Sequence, residues 1–414
     1  MMHLLIIWRN ICQKSLQSFL SIAVIASSIA MTIVVMLLSS SIQQGLIKAA
    51  EPFDLIVGAK GSPNQLVLNT VFLQDVPIGN ISYDLVEQLE KNPLVESAIP
   101  IGFGDNYHGF RFISTEQSIF EHVIKNGQPP WLQLAQGRKF TSPFEAVIGS
   151  KTAVATGLKL GDQFTSSHGL VASSGEGEHE HAEKFTVVGI LKEVNGPYDS
   201  GILVPLESIW QMHEHHHENE SVHAETIEDD EHEDDEKGKS TTVILVKPKG
   251  YAEAMMLYQQ FQKNQQAQLI FPAQVVVKLF AILGEGEKIL QMIGYAVLTM
   301  AILVSAFSLY WSAVSRTRER AILRSIGAGN RDILAIVFGE GVFLVMSGVI
   351  TGVLLGHGVF SFIANLLQEK TAIAIVGTFS MAELGMLIAV LFVGMIASVV
   401  PAIHTAKEDV ANDL

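Results

Sequence analysis

The 414-residue chain contains a single cysteine, Cys12. An internal disulfide is therefore excluded, and so is a CxxC-type metal centre. No GxxxxGK[ST] phosphate-binding loop is present. The run Gly284-Glu285-Gly286-Glu287 has neither the lysine nor the following hydroxyl of such a loop. A GxSxG nucleophile elbow is also missing, and nothing points to catalysis by this chain. Charge is lacking over a long stretch: the 33 residues from Ser15 to Ile47 carry none. A secretory leader has a shorter apolar region that ends in a small-residue cleavage site. The stretch is therefore expected to be an uncleaved spanning helix.

What is present is mixed. Hydrophobic residues make up 48% of the chain, and mean hydropathy is +0.33. That suits a few membrane helices plus a water-soluble domain. The net charge of −15 is local in origin. Glu214 to Glu236 holds 12 acidic residues and no lysine or arginine, and without them the charge is −3. Nucleic acid is not an expected partner.

Four segments suit a bilayer crossing of about 20 apolar residues. They lie near Ser18–Leu38, between Lys288 and Arg316, near Ile333–Phe360, and between Glu383 and Lys407. Arg9 and Lys14 precede the first. Arg316, Arg318, Arg320, Arg324 and Arg331 fill the link between the second and third, and Lys407 follows the fourth. The positive-inside rule puts all of these in the cytoplasm. The expected order is a cytoplasmic amphipathic helix (1–17), span one and the start of a stalk (18–42), and a large outer domain (43–287). Span two (288–315), a cytoplasmic link (316–332), span three (333–360), a short outer link (361–380), span four (381–406) and a tail (407–414) follow. The fold class is thus an α-helical membrane protein with four helices in a 1 + 3 arrangement and a mixed α/β domain after the first. In that domain, runs at 146–149, 185–191 and 242–246 read as strands, and 82–91 and 251–264 as helices. Helical stalks are expected near 39–48 and 276–288. The segment 213–240 is low-complexity and reads as disordered.

Several motifs in order resemble the FtsX-like permease family, which includes macrolide-exporter and lipoprotein-release permeases. They begin with Trp8-Arg9-Asn10 in the N-terminal helix. In the outer segment, Gly137-Arg138, Val147-Ile148-Gly149, Leu158 to Asp162, Val187 to Leu191 and Val204-Pro205-Leu206 follow the order of a MacB-like periplasmic core. Next come the link Arg318 to Ala328 and the closing Pro401-Ala402, with Ala406 and Leu414. The resemblance implies a non-catalytic permease of an ABC transporter in a bacterial inner membrane. It implies two copies of a separate ATPase that binds ATP and Mg, and a second permease that is either identical or homologous. A periplasmic adaptor or a lipoprotein is a further implied partner.

In such permeases the link docks on the ATPase, and the residues carried over are Arg318, Glu319, Ile322, Leu323, Arg324, Ile326, Gly327 and Ala328. Their pattern agrees: Ile322, Leu323 and Ile326 share an apolar helical face flanked by arginines. The plainer reading is a basic link that only sets topology.

Nine of the 14 histidines lie between His168 and His232. His213, His215, His216, His217 and His223, with His179 and His181 in a second cluster, form a candidate site for zinc or another borderline metal. The competing reading is a solvated loop that binds metal incidentally. The resemblance does not account for this tract.

Gly348, Gly352 and Gly356 recur every four residues in span three, as helix-packing faces do. Glu340 and His357 also lie in that span, 17 residues apart, too far to meet on one helix. Glu340 is read as facing water or a link arginine, and His357 as interfacial. The leading functional expectation is transport, either export or lipoprotein handling. The alternatives are activation of a cell-wall hydrolase or a sensor, and a role in metal uptake.

Overall fold

The computed structural model describes residues 2–13, 15–169, 180–212, 239–314, 328–371, 375, 377 and 379–407. It divides into two compact units. One comprises residues 1–42, 282–367 and 375–414, and the other residues 43–281 and 368–374.

The first unit is helical. It contains α1 (Met2–Gln13), α2 (Ser15–Ala50), α8 (Pro272–Val314), α9 (Asn330–Thr371) and α10 (Met381–Lys407). Ser15–Ala50, Arg331–Gln368 and Met381–Val399 are long and apolar enough to cross a membrane. In α8 the described apolar stretch is Lys288–Val304, and the helix continues to Val314 without a charged residue. The architecture is therefore the expected 1 + 3 arrangement. α9 runs to Thr371, past position 360, where the apolar pattern weakens. α8 starts at Pro272, where proline suits a first turn, so residues 276–288 are helix continuous with the span. The unit boundary falls inside both α2 and α8.

The second unit is the mixed α/β domain. Its strands are β1 (Leu55–Ala59), β2 (Ile81–Ser82), β3 (Val95–Gly102), β4 (Asp105–Tyr107), β5 (Phe110–Thr115) and β6 (Leu134–Gly137). They continue with β7 (Glu145–Ile148), β8 (Gln163–His168), β9 (Glu180–Leu191), β10 (Ile202–Pro205), β11 (Ser240–Thr241), β12 (Val243–Pro248) and β13 (Ala267–Ile270). Helices α3 (Pro63–Thr70), α4 (Asp84–Glu90), α5 (Ser150–Thr156), α6 (206–212) and α7 (Tyr251–Phe261) complete it.

The main sheet has two halves. In one, β3, β12, β1 and β13 pair antiparallel in that order. Their side chains alternate between two cores. Leu55, Val57, Ile244 and Val246 pack with Leu257 of α7 and Leu89 of α4, while Ile56, Val243 and Leu245 pack with Leu66 of α3. Both faces are covered, which is why the run 243–246 is apolar at every position. In the other half, β5, β4, β8, β9, β7 and β10 pair in sequence, and β10 returns to pair with β5. That closes a ring. Phe112, Ile148, Phe164, Phe185 and Val204 form one core from five of its strands. Phe112 meets Phe185 edge-on, with ring centroids 5.1 Å apart.

The glycines in the motifs of this domain are tied to its backbone. Gly137 has φ +76°, and a Cβ there would lie 2.2 Å from the Val188 carbonyl oxygen. Gly137 stands opposite Gly189 across β6 and β9. A Cβ at Gly149 would lie 2.2 Å from the Asp199 carbonyl oxygen. Next to Gly137, Arg138 clasps Glu145 with both terminal nitrogens, at 2.8 and 2.5 Å. Glu145 also accepts from the Thr141 and Ser142 amides. Its carboxyl is held at about 2, mainly by the Arg138 hydrogen bonds.

The domain also holds the end of α2. His122 Nε2 donates to the Pro52 carbonyl at 2.7 Å, and burial pushes the imidazole pKa down. Asp54, nearby in charge terms, is pushed up by the same cause.

Candidate functional site: the membrane helix interface

The glycine stripe of α9 faces a ridge of isoleucines on α2. A Cβ built at Gly348 would come within 2.6 Å of Ile25. At Gly352 it would come within 2.8 Å of Ile29, and at Gly356 within 3.0 Å of Ile33. Both rows repeat every four residues, so one ridge lies in one groove over two turns. Ile25, Ile29 and Ile33 are almost fully buried. In lipid, helices gain little from burial alone, and close van der Waals packing of this kind is what holds them together. The stripe is thus occupied within the chain itself.

The ridge belongs to a larger core. Leu298 and Ile302 of α8, Val345 and Val349 of α9, and Met386, Leu387 and Val390 of α10 complete it. Gly294 of α8 approaches Thr32, and a Cβ there would stand 3.2 Å from its Oγ1. Thr32 is satisfied by the Ser28 carbonyl at 2.9 Å, so the polar face of α2 costs little in the bundle.

The N-terminal helix joins the same interface. Ile7 and Ile11 of α1 bury against Ile336 of α9, and Trp8 meets Phe343 edge-on at 6.0 Å. Gly339 leaves room for Ile7. Just upstream, Asp332 Oδ2 accepts from the Gly329 amide at 2.9 Å and caps the start of α9. The helix that follows the arginine-rich link therefore begins under a fixed cap and against α1.

Arg318, Glu319, Ile322, Leu323, Arg324, Ile326 and Gly327 lie outside the described residues; Ala328 is half-buried just before that cap. His213, His215, His216, His217, His223 and His179 also lie outside them. His181 is on β9, but its side chain is not among those described. Among the described residues, no group of three or more His, Cys, Asp or Glu is placed to hold a metal ion. The long acidic segment leaves and rejoins the domain at one fixed point. Trp210 Nε1 donates to the Ser240 carbonyl at 2.9 Å, and β11 pairs with β2.

Glu340 is buried at 8% exposure and does not face water; Arg316, Arg318, Arg320 and Arg324, which belong to the other half of that reading, lie outside the described residues. His357 has a partner that sequence reasoning missed, Glu383 of α10, with Nε2 and Oε1 3.5 Å apart. The signal was present, because both are ionisable residues in apolar helices. The isoleucine ridge was also missed, since a run rich in Ile, Val and Leu does not mark which face meets glycine.

These features define a class: a membrane subunit whose helices are locked by close packing around its first span. Residues 292–410 match the FtsX-like permease C-terminal family, and residues 18–256, more than half of the chain, match the MacB-like periplasmic core domain family. The chain belongs to the FtsX-like permease family of ABC transporters and carries a MacB-like core domain. Among solved structures it is similar to the extracellular domain of the noncanonic ABC-type transporter YknZ from Gram-positive bacteria. That match has 12% identity over 52% of this chain and 98% of that one, with TM-score 0.30. It is also similar to the periplasmic region of MacB from Actinobacillus actinomycetemcomitans, with 12% identity over 55% of this chain and 94% of that one, and TM-score 0.33. No curated protein matches the chain.

Proposed function

We propose that this chain couples ATP hydrolysis by a separate ATPase to movement of its MacB-like domain, for export or lipoprotein handling on the outer side of a bacterial inner membrane. The ATPase, in two copies, docks on the 316–332 link. The permease works as a pair, and an outer adaptor or lipoprotein receives the movement. Both termini are cytoplasmic by the arginine distribution. The observation that carries this reading is the continuity of α2 and α8. Each is an unbroken helix from an apolar membrane stretch into the residues of the mixed domain. With no break, such a helix transmits displacement along its axis rather than absorbing it at a hinge.

The test is purification of the full chain in mild detergent with identification of the bound subunits. An ABC ATPase that co-purifies with wild type and is lost in Leu323→Glu supports the reading. A chain that never retains an ATPase overturns it. The histidine-rich segments add a proposed zinc-collecting role. If it holds, deleting residues 214–237 changes zinc-dependent growth; unchanged growth from zinc limitation to excess removes it.

A further inference from the structure

Two ionisable side chains from different helices meet inside the membrane unit. His357 lies in α9 and Glu383 in the first turn of α10, with 3.5 Å between Nε2 and Oε1. Glu383 is completely buried, and among the described residues neither of its carboxylate oxygens has a hydrogen-bond partner. Its own amide donates to Ser380 Oγ at 3.1 Å. Ser380 and Glu383 have the spacing of a capping box, in which the glutamate would fold back onto the amide of the cap residue. Here the carboxylate gives up that local donor and faces the imidazole. A charged, unsatisfied carboxylate at a buried site is costly, and in a membrane helix such a group marks function by default.

The second imidazole nitrogen determines the chemistry. His357 Nδ1 lies 3.1 Å from the Val353 carbonyl oxygen, which can only accept. Nδ1 therefore carries a hydrogen, and in a neutral ring Nε2 presents a lone pair. A lone pair facing a carboxylate is repulsive. One proton between them turns repulsion into a bond, as carboxyl O–H to Nε2 or as imidazolium N–H to carboxylate. Either way the pair is neutral. Without that proton it carries a full negative charge.

The nearest charges in sequence on these helices are more than three turns away, Lys370, a cation, standing 13 residues after His357 on α9. α2 has no ionisable residue from Ser15 to Ile47, and α10 has none from Leu384 to Ile403. Along α9, Glu340 is 17 residues before His357 and Glu369 is 12 after it, the latter about 18 Å along the axis. In α8, Tyr295 and Tyr310 are the titratable groups between Lys288 and Val314. Phe379 stacks on the imidazole, with centroids 6.2 Å apart and planes at 17°. The histidine side chain is 39% exposed, whereas that of Glu383 is enclosed.

We propose that His357 and Glu383 form a proton-binding site, one proton per chain, that ties the third span to the fourth. The proton comes from water and returns to water. When it leaves, the pair repels and the two helix ends separate.

The test uses the full chain in lipid nanodiscs. Infrared difference spectra on stepping from acidic to alkaline pH, with a dye counting released protons, read the site directly. In wild type, a carboxyl or imidazolium signal disappears on alkalinisation. Glu383→Gln keeps a donor toward Nε2 and so preserves the tie and the fold. That variant lacks the signal and releases one proton fewer per chain, and His357→Gln lacks the signal as well. A spin-label distance between the ends of α9 and α10 lengthens at alkaline pH in wild type and stays fixed in Glu383→Gln. Identical titration in wild type and Glu383→Gln overturns the proposal, and so does a wild-type distance that never changes.

Discussion

In the mixed domain, Glu145 receives two nitrogens of Arg138 and two backbone amides. In the membrane unit, Glu383 is more deeply enclosed and receives no hydrogen bond from the described residues. The glycines differ in a parallel way. Gly137 and Gly149 stand against carbonyl oxygens, 2.2 Å from where a Cβ would lie, whereas Gly352 and Gly356 stand against the Cβ atoms of Ile29 and Ile33, at 2.8 and 3.0 Å. All of these atoms are fixed by the backbone, so the difference is one of distance. Substitution at the domain glycines therefore meets a closer obstacle than substitution in the bundle. Among the described buried side chains of the helix bundle, Glu383 is the one whose polar atoms lack a hydrogen bond, while the domain holds several such groups, Arg111 Nη1 and Ser166 Oγ among them.

The largest effect expected from this contrast is in the domain. Gly137→Ala combines a left-handed backbone with a backbone clash, and should cost about 3 kcal/mol or more. Urea or thermal unfolding of the full chain in detergent measures it. Gly149→Ala should behave alike, through the clash alone. If either variant folds normally, glycine in the domain is not required by the backbone as argued.

Next in size is the groove. Gly352→Leu should cost about 1–3 kcal/mol, because Ile29 and the Ala26 carbonyl oxygen, 2.8 and 2.9 Å from the new Cβ, must both give way. Gly358, which has nothing within 4 Å, is the control, and Gly358→Leu should change stability by about 0.5 kcal/mol or less. Thermal midpoints of purified chains separate the two. A variant at 352 that assembles stably but changes substrate choice would make the groove a substrate path instead.

Smaller effects depend on pH. Burial keeps His122 below its usual 6.5, so the unfolded imidazole takes up a proton more readily than the folded one. Stability from this source is complete above about 6.5 and is lost as pH falls below it. His122→Gln, which keeps a donor for Pro52, should flatten that loss. Glu145, held at about 2 against an ordinary 4.5, acts lower. Its contribution is complete above 4.5 and declines as pH falls toward 2. Arg138→Ala should remove that acid-range slope, as read by acid unfolding followed by circular dichroism. This is the smallest change, since Arg138 is solvent-exposed and screened.

Much of this contrast was legible in residue types and spacing. Uncharged runs mark the spans, and arginines mark the link between the second and third. The apolar run 243–246 marks a strand covered on both faces. What stayed hidden depended on partners distant in sequence. The ring closes only because residues 202–205 pair with 112–115, and nothing local in either strand announces the other. Glu383 misleads for a different reason: its spacing from Ser380 is that of a cap, and the cap half forms while the carboxylate goes elsewhere. The groove was half legible. Glycines every four residues announce a packing face, but only the fold says that Ile25, Ile29 and Ile33 fill it.

The anchoring of Trp210 to Ser240 has a practical consequence. The indole hydrogen bond and the β2–β11 pair bring the chain on either side of residues 213–238 to one place on the domain. A reporter or affinity domain grafted between positions 212 and 239 therefore has both junctions beside a fixed anchor, and the strands next to those junctions keep their own hydrogen bonds.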